Sequence, residues 1–147
     1  MAVRVAVVLA RKGTDVATIV PSATLADAAR ALAEHNVGAL VVSTDGDIVE
    51  GMLSERDIVR RLATSGADCL AMSVAEVMTA EVTACTRVTT VDELMATMTE
   101  RQIRHIPVVE QGRLAGIISI RDVVQSRMEE LEVQAETLQE YITGSGY

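Results

Sequence analysis

Residues 51–57 read Gly-Met-Leu-Ser-Glu-Arg-Asp, and residues 116–122 read Gly-Ile-Ile-Ser-Ile-Arg-Asp. In both stretches a predicted apolar strand ends at a serine, and an aspartate follows three positions later. A serine at the N-cap of a helix with an acidic residue at position N3 is a capping box, in which each side chain accepts the other residue's backbone N–H. The chain therefore carries one strand-to-helix junction twice.

The two junctions belong to a longer internal repeat. A shift of 66 aligns four pairs of identical residues: Val16 with Val82, Thr24 with Thr90, Glu34 with Glu100 and Val42 with Val108. After a one-residue gap in a turn, a shift of 65 aligns five more: Gly51 with Gly116, Ser54 with Ser119, Arg56 with Arg121, Asp57 with Asp122 and Val59 with Val124. A register held over about 45 residues indicates two copies of one folding unit, which we name copy one and copy two.

Each copy is predicted to run strand, helix, strand, strand, helix. In copy one we expect strands at 16–20, 39–42 and 48–53, a helix from Leu25 capped by Thr24 and Asp27, and a helix from Ser54 to about Gly66. In copy two we expect strands at 82–85, 106–109 and 114–118, a helix from Val91 capped by Thr90 and Glu93, and a final helix from Ser119.

Two short helices are predicted outside this plan. Ser73 and Glu76 form a further capping box, which begins a helix at 74–78 in the link between the copies. The segment 5–11 precedes copy one as that link precedes copy two, and we interpret it as a helix by this analogy. The fold class is α/β (α+β), with two β-α-β-β-α repeats and a long C-terminal helix. Because about 60 residues bury too little surface alone, the halves are expected to pack around a pseudo-twofold axis.

Composition narrows the classes of function. The 147 residues are 49% hydrophobic and 23% charged, which is typical of a compact globular domain. A net charge of -8 and an aromatic content of 1% disfavour nucleic acid and anionic membranes, because phosphate is repelled and stacking platforms are scarce. The apolar run at 5–10 is too short for a membrane span or a secretory signal, so we expect a cytoplasmic protein. We interpret Cys69 and Cys85 as buried thiols.

The final helix differs from its equivalent in copy one. Its apolar positions continue past the repeat, at Val123, Val124, Met128, Leu131, Ala135, Leu138 and Ile142, while five glutamates and no lysine or arginine follow Arg127. An apolar stripe of this length needs a cover. It either folds back on its own halves or forms a homodimer contact that leaves the glutamate-rich face in solvent.

The junction motif allows a structural and a functional interpretation. As structure, it is an ordinary helix cap. As function, a helix N-terminus offers N–H groups and partial positive charge to a phosphate, while a serine and an aspartate suit a ribose diol. Copy two adds Arg104 and His105, which can hold phosphate oxygens, and Pro107, whose missing N–H makes its strand an edge or a bent one. Copy one has Gly38 there, so the copies are not expected to be equivalent sites.

These motifs carry a family resemblance. Two copies of one β-α-β-β-α unit, each closing with Gly-x-x-Ser-x-Arg-Asp, together with Arg-His-Ile-Pro-Val-Val, resemble a tandem pair of cystathionine beta-synthase (CBS) domains, a Bateman module, as in small bacterial stand-alone CBS-pair proteins. The resemblance covers roughly residues 1 to 128. It divides the chain into a first repeat with its N-terminal segment (1–66), a linker (67–80), a second repeat (81–128) and an acidic extension of the last helix (129–147).

The resemblance implies adenine-nucleotide binding in clefts between the repeats. It places ribose hydroxyls on Asp57 and Asp122, hydroxyl donors at Ser54 and Ser119, and phosphate partners at Arg56 and Arg121. It places the adenine near the backbone around 104–106, and the base pocket near the end of the first strand. Carried over in full, the nucleotide-binding residues are Thr18, Gly38, Ala39, Ser54, Arg56, Asp57, Cys85, Arg104, His105, Ile106, Pro107, Ser119, Arg121 and Asp122.

The expected function is regulation without catalysis. The resemblance implies a homodimer that binds AMP, ADP, ATP or NAD(H) and signals to an unidentified partner protein. The chain lacks the glycine-rich phosphate loops and the zinc-protease and serine-hydrolase motifs, Lys12 is its only lysine, and we expect no metal or catalytic cofactor. Two alternatives remain: a dimeric interaction scaffold with unoccupied clefts, and a nucleotide-processing enzyme.

Overall fold

The computed structural model describes residues 2–144. The elements follow in the order α1 (Val5–Lys12), β1 (Thr18–Ile19), α2 (Leu25–His35), β2 (Ala39–Val42), β3 (Gly51–Ser54), α3 (Glu55–Ser65), a 3-10 helix (Ala67–Ala71), α4 (Val74–Val77), α5 (Val91–Arg101), β4 (His105–Glu110), β5 (Arg113–Ser119) and α6 (Ile120–Gly144). The predicted mixed α/β class and the long C-terminal helix are confirmed.

The described residues form two compact units, and neither unit coincides with one copy. The sheet unit comprises residues 14–86 and 106–117, and the helical unit comprises residues 2–13, 87–105 and 118–144. The division of the chain into two repeats, a linker and an acidic extension stays a prediction.

The sheet unit is built on three strands. β1 runs parallel to β2, and β2 pairs antiparallel with β3. Its core consists of buried apolar residues from the sheet, from α2 and α3, and from the link: Leu25, Ala28, Leu32, Leu40, Val42, Leu53, Ile58, Cys69 and Val74. The hairpin of β4 and β5 contributes residues 106–117 to this unit.

The helical unit consists of α1, α5 and α6. Eight of its apolar side chains are buried: Val5, Val8, Leu9, Val91, Leu94, Met98, Ile118 and Val123. The Val5 N–H donates to the Thr89 carbonyl at 2.8 Å, and the Val91 N–H donates to the Val3 carbonyl at 2.8 Å. The segment that precedes copy one therefore packs on copy two.

The sheet unit contains the same arrangement with the copies exchanged. The Val74 N–H donates to the Ala23 carbonyl at 2.7 Å, and the Leu25 N–H donates to the Met72 carbonyl at 3.0 Å. The link before copy two therefore packs on copy one, and the interpretation of segment 5–11 as a helix by analogy is confirmed by α1.

The helix caps agree with the sequence, but three predicted strands were too long. All four predicted capping boxes at the starts of α2, α3, α4 and α5 are present. The strand predicted at 48–53 begins only at Gly51, because Oδ1 of Asp45 accepts the N–H groups of Asp47 and Ile48 at 2.9 Å and holds them in a turn.

The first strand of each copy is also shorter than predicted. β1 covers two residues rather than 16–20, and the segment 82–85 forms a single parallel bridge between Cys85 and Val108. The Cys85 N–H donates to the Pro107 carbonyl, and the Cys85 carbonyl accepts the Val109 N–H. The ladder cannot extend toward residue 83, because Pro107 has no N–H to donate there.

Candidate functional site

The two strand-to-helix junctions have the same hydrogen bonds. The Ser54 N–H donates to Oδ2 of Asp57 at 2.9 Å, and the Asp57 N–H donates to the Ser54 Oγ at 3.3 Å. The corresponding distances for Ser119 and Asp122 are 2.8 and 3.2 Å. The capping interpretation is confirmed at both positions, and in each case the serine hydroxyl also donates to Oδ2. Each carboxylate is thus oriented through one of its two oxygens.

The backbone at the start of the second strand lies against each helix N-terminus. The Glu55 N–H, the first of α3, donates to the Gly38 carbonyl at 3.0 Å. The Ile120 N–H, the first of α6, donates to the Arg104 carbonyl at 2.8 Å. The bonded residues lie 17 positions apart in copy one and 16 in copy two, and the same backbone hydrogen bond brings them together in both copies.

In copy one the predicted residues gather within the sheet unit. Ala39 pairs with Ser54 across β2 and β3, so Gly38, Ala39, Ser54 and Asp57 form one cluster. Arg56 lies exposed in the first turn of α3. Thr18 is half-buried on β1 and pairs with Val41 of β2, which separates it from Ser54 on β3. Thr18 is therefore on the same sheet as the cluster but outside its immediate contacts.

In copy two a residue that sequence analysis missed joins the cluster. Nζ of Lys12, at the end of α1, lies 2.6 Å from Oδ2 of Asp122. The two side chains are 30% and 17% exposed, so this ion pair is partly protected from solvent. The sequence separation of 110 residues gave no local signal. The repeat could have indicated Lys12. The segment before each copy packs on the other copy, so the end of α1 lies against copy two.

Lys12 changes the electrostatics of Asp122. Burial by itself raises the pKa of the Asp122 carboxyl, but the hydrogen bond and charge of Lys12, together with the Ser119 N–H, lower it below its ordinary value. Asp122 is therefore an anion at neutral pH that faces a cation. Arg121 lies exposed in the first turn of α6, and Arg104 lies exposed before β4.

The remaining predicted residues of copy two divide between the units. His105 is half-buried in the helical unit, whereas Cys85, Ile106 and Pro107 are buried in the sheet unit. Ile106 is 0% exposed, so its side chain belongs to the core. Burial, with the charge of Glu110, raises the pKa of the Cys85 thiol to about 11, so Cys85 stays protonated at neutral pH and is an unreactive apolar group. Both cysteines are free and buried, as predicted.

Residues 2–144 contain neither a metal-binding cluster nor a membrane-spanning helix. Within residues 2–144, no group of three or more His, Cys, Asp or Glu side chains is placed to hold a metal ion. Across the same range, none of the helices combines the length and the apolar character needed to cross a membrane.

Comparisons with known proteins agree with this geometry. The family described as CBS domain matches residues 10–64 and 74–129. A CBS-domain-containing protein of Agrobacterium tumefaciens has a solved structure that is 48% identical, with a TM-score of 0.82 over 86% of this chain and 95% of that one.

Two curated relatives give the same result. The CBS domain-containing protein YhcV of Bacillus subtilis is 36% identical over 78% of this chain and 81% of its own length. The mitochondrial CBS domain-containing protein CBSX3 of Arabidopsis thaliana is 37% identical over 84% of this chain, which spans 62% of that relative. The repeated junction, the shared backbone geometry and these similarities together show that the chain belongs to the CBS-domain family, with two CBS domains in tandem.

Proposed function

We propose that this chain is a non-catalytic cytoplasmic module that binds an adenosine nucleotide, AMP, ADP, ATP or NAD(H), at the N-terminal ends of α3 and α6 and signals to a partner protein. CBS-domain pairs are regulatory modules that commonly bind adenosine ligands and often form oligomers. The specific ligand, its binding residues and the partner are the parts proposed for this chain.

The observation that carries the proposal is the arrangement of Asp57 and Asp122. Each carboxylate is held by its own cap through Oδ2, which orients Oδ1 for the hydroxyls of a ribose. The helix N-terminus beside it favours negative charge, so a phosphate attached to that ribose finds a suitable electrostatic environment. Capping and ligand binding are therefore compatible roles for one side chain.

We propose copy two as the site that binds phosphate more strongly. Its helical unit places Lys12 on Asp122 and carries Arg104, His105 and Arg121 next to the same helix N-terminus or in its first turn. When a ribose engages Asp122, Lys12 is positioned to turn from the carboxylate toward the phosphate. Copy one offers Arg56 and the small residues Gly38 and Ala39 instead. The participation of Thr18, Cys85, Ile106 and Pro107 also stays part of this proposal.

The proposal is tested by calorimetry of the full chain against AMP, ATP and NADH. We expect Asp122→Asn to weaken nucleotide binding by about 10-fold or more, because a charge-assisted hydrogen bond to ribose is lost. Asp57→Asn should abolish the weaker of the two nucleotide-binding events, which we assign to copy one. Asp27→Asn is the matched control, because Asp27 occupies the same position in the capping box of α2, where no ligand is proposed. It should leave nucleotide affinity unchanged.

Three outcomes would contradict the proposal. Equal nucleotide binding by the wild type and Asp122→Asn would show that the site lies elsewhere. The absence of binding in the wild type, with no nucleotide released from the purified protein in mass spectrometry, would favour the scaffold. Conversion of the nucleotide during incubation would favour an enzyme, whereas its recovery unchanged supports a regulatory module.

The homodimer is the second part of the proposal, and one observation favours it. The apolar stripe of α6 is exposed along its length: Val124, Met128, Leu131, Leu138 and Ile142 are between 49% and 61% exposed. The described chain therefore does not fold back over this stripe, contrary to the first alternative. A second copy of the chain is the cover that we propose.

A further inference from the structure

Six residues of α6 form an exposed seam with a strict heptad spacing. Successive members are separated by 4, 3, 4, 3 and 4 positions: Val124, Met128, Leu131, Ala135, Leu138 and Ile142. In heptad notation Val124, Leu131 and Leu138 occupy d positions, and the other three occupy a positions. A repeat of 3.5 residues is shorter than the 3.6 of a straight helix and is typical of a supercoiled helix pair.

The helical unit packs on the opposite face of the same helix. Val123 and Ser126 are the residues of α6 that are buried in the described structure. They occupy c and f positions, which lie about 160° around the helix from the seam at about 100° per residue. Glu129 contacts Arg11 of α1 from a b position, which also lies outside the seam. The seam therefore needs an additional partner and is not a boundary of the core.

The positions of the charges indicate what kind of helix can cover the seam. Of the five glutamates after Arg127, four occupy b, c or f positions, at Glu129, Glu130, Glu136 and Glu140. The e and g positions that flank a coiled-coil contact hold one basic and one acidic residue among neutral ones: Gln125, Glu132 and Gln139 at e, and Arg127, Gln134 and Tyr141 at g. An identical helix thus meets the seam without net repulsion.

We propose that the seam pairs with the seam of a second copy as a parallel, in-register, two-stranded coiled coil. This inference rests on the homodimer of the proposed function and specifies its contact and orientation. In a parallel pair each g residue faces the e residue of the next heptad on the other chain, so Arg127 faces the partner subunit's Glu132, twice by symmetry. Arg127 already binds Glu130 at 2.8 Å, and its guanidinium has further donors for this second contact.

The contact is long enough to hold two copies together. From Val124 to Ile142 the seam spans 19 residues, or roughly 27 Å of helix at 1.5 Å per residue. Each chain contributes three apolar residues at d positions and three at a positions, and the pairing buries all of them. The small side chain of Ala135 allows the two helices to approach closely. The glutamate-rich faces then point into solvent on both sides, as the sequence predicted.

Sedimentation of the full chain tests the contact. We expect the wild type to be a dimer, and Leu131→Glu to raise the dimer dissociation constant by about 100-fold or more, because two carboxylates enter an apolar layer. Val133→Glu is the matched control, since it introduces the same charge two residues away at an f position that is 61% exposed. Circular dichroism verifies that both variants are folded. A monomeric wild type at about 100 µM, or a dimer that Leu131→Glu does not weaken, overturns the proposal.

Cysteine cross-linking tests the orientation. In a parallel pair, Met128→Cys and Ile142→Cys each form a disulfide-linked dimer with themselves, because identical a positions face each other. In an antiparallel pair the a positions of one chain face the d positions of the other, so neither variant cross-links with itself, and that result overturns the parallel arrangement. The wild type is the background control, because Cys69 and Cys85 are buried.

The two proposals fail in distinguishable ways. Leu131→Glu should still bind nucleotide in the calorimetric experiment, because the seam begins after the capping residues Ser119 and Asp122. A chain that dissociates on this substitution but never binds nucleotide contradicts only the nucleotide site. A chain that binds nucleotide and stays monomeric contradicts only the seam.

Discussion

The N-termini of α3 and α6 have the same backbone but different charges around them. Both are capped by serine and aspartate. In both, the first N–H of the helix donates a hydrogen bond to the carbonyl that precedes the second strand of the same copy. Only in copy two, among the described residues, does a lysine lie on the capping carboxylate. The duplicated sequence therefore reproduces the junction, while a segment outside the repeat determines its electrostatics.

The lengths of the packed segments explain this difference. α1 has 8 residues and ends at Lys12, whereas α4 has 4 residues and ends at Val77. α4 stops because Thr79 pairs with Met52 of β3, with hydrogen bonds of 3.0 and 2.9 Å. Four further residues of α1 add about 6 Å of helix, which brings Lys12 to Asp122. α1 and α4 therefore begin with equivalent packing, but only α1 continues beyond its first turn.

The largest expected effect tests whether the two copies are equivalent in the core. Leu53 and Ile118 occupy equivalent positions, and both are 0% exposed. Leu53→Ala and Ile118→Ala should each lower the free energy of unfolding by about 2 to 5 kcal/mol, because each leaves a cavity under a capped junction. Urea denaturation measures the change. Val59→Ala, at a position that is 62% exposed, is the control and should change stability little. A large decrease in the free energy of unfolding at only one of the two core positions would show that the copies are not equivalent in the core.

The next effect tests why α4 is short. A Cβ atom added at Gly51 would lie 2.5 Å from Sδ of Met78 and 3.0 Å from the Thr79 carbonyl oxygen. Gly51→Ala should therefore push the segment after α4 away from β3 and destabilise the fold by about 1 to 3 kcal/mol. Adding Met78→Ala should recover only the side-chain part of this cost, which a double-mutant cycle separates. Unchanged stability of Gly51→Ala would show that the pairing of Thr79 is not tight.

A smaller effect tests the role of Lys12 in the proposed site. Lys12→Met should weaken ATP binding by about 3- to 10-fold and adenosine binding much less, because a lysine that contacts phosphate contributes only to ligands that carry phosphate. Calorimetry with both ligands measures the ratio. Arg11→Met removes the same charge from the same turn, but its partner is Glu129, so it should leave both affinities unchanged. If Lys12→Met strengthens the binding of both ligands, Lys12 instead competes with the ribose for Asp122.

The smallest effect concerns the pH dependence of the Lys12–Asp122 pair. The pKa of Asp122 is lowered in the folded chain, so the pair stabilises the fold above the ordinary aspartate pKa and loses this effect as pH falls through the folded value. Lys12→Met should raise the pKa of Asp122, because the contribution of burial remains. Carboxyl NMR titration measures this. The pKa of Asp27, lowered mainly by the Thr24 N–H, is the internal control and should not change.

Much of the fold was predictable because its signals are local. Thr24 with Asp27, Ser73 with Glu76 and Thr90 with Glu93 begin helices as the sequence indicated, since a cap is satisfied within four residues. The strand boundaries were less predictable. Apolar composition alone predicted strands at 48–53 and 82–85. The turn at Asp45 and the missing N–H of Pro107 each remove hydrogen bonds between strands and shorten them. The serine and aspartate at each junction were predicted from the repeated motif, whereas the contact of Lys12 with Asp122 was not predicted.

The sequence by itself determined the duplication, the positions of the caps and the heptad spacing of α6, because each of these depends on residues within a few turns of one another. Only the tertiary structure decided that the segment before one copy packs on the other, that Lys12 reaches Asp122 across 110 residues, and that the seam of α6 stays exposed. These features depend on the lengths of helices and on which faces pack together, and such distances are fixed only when the chain has folded.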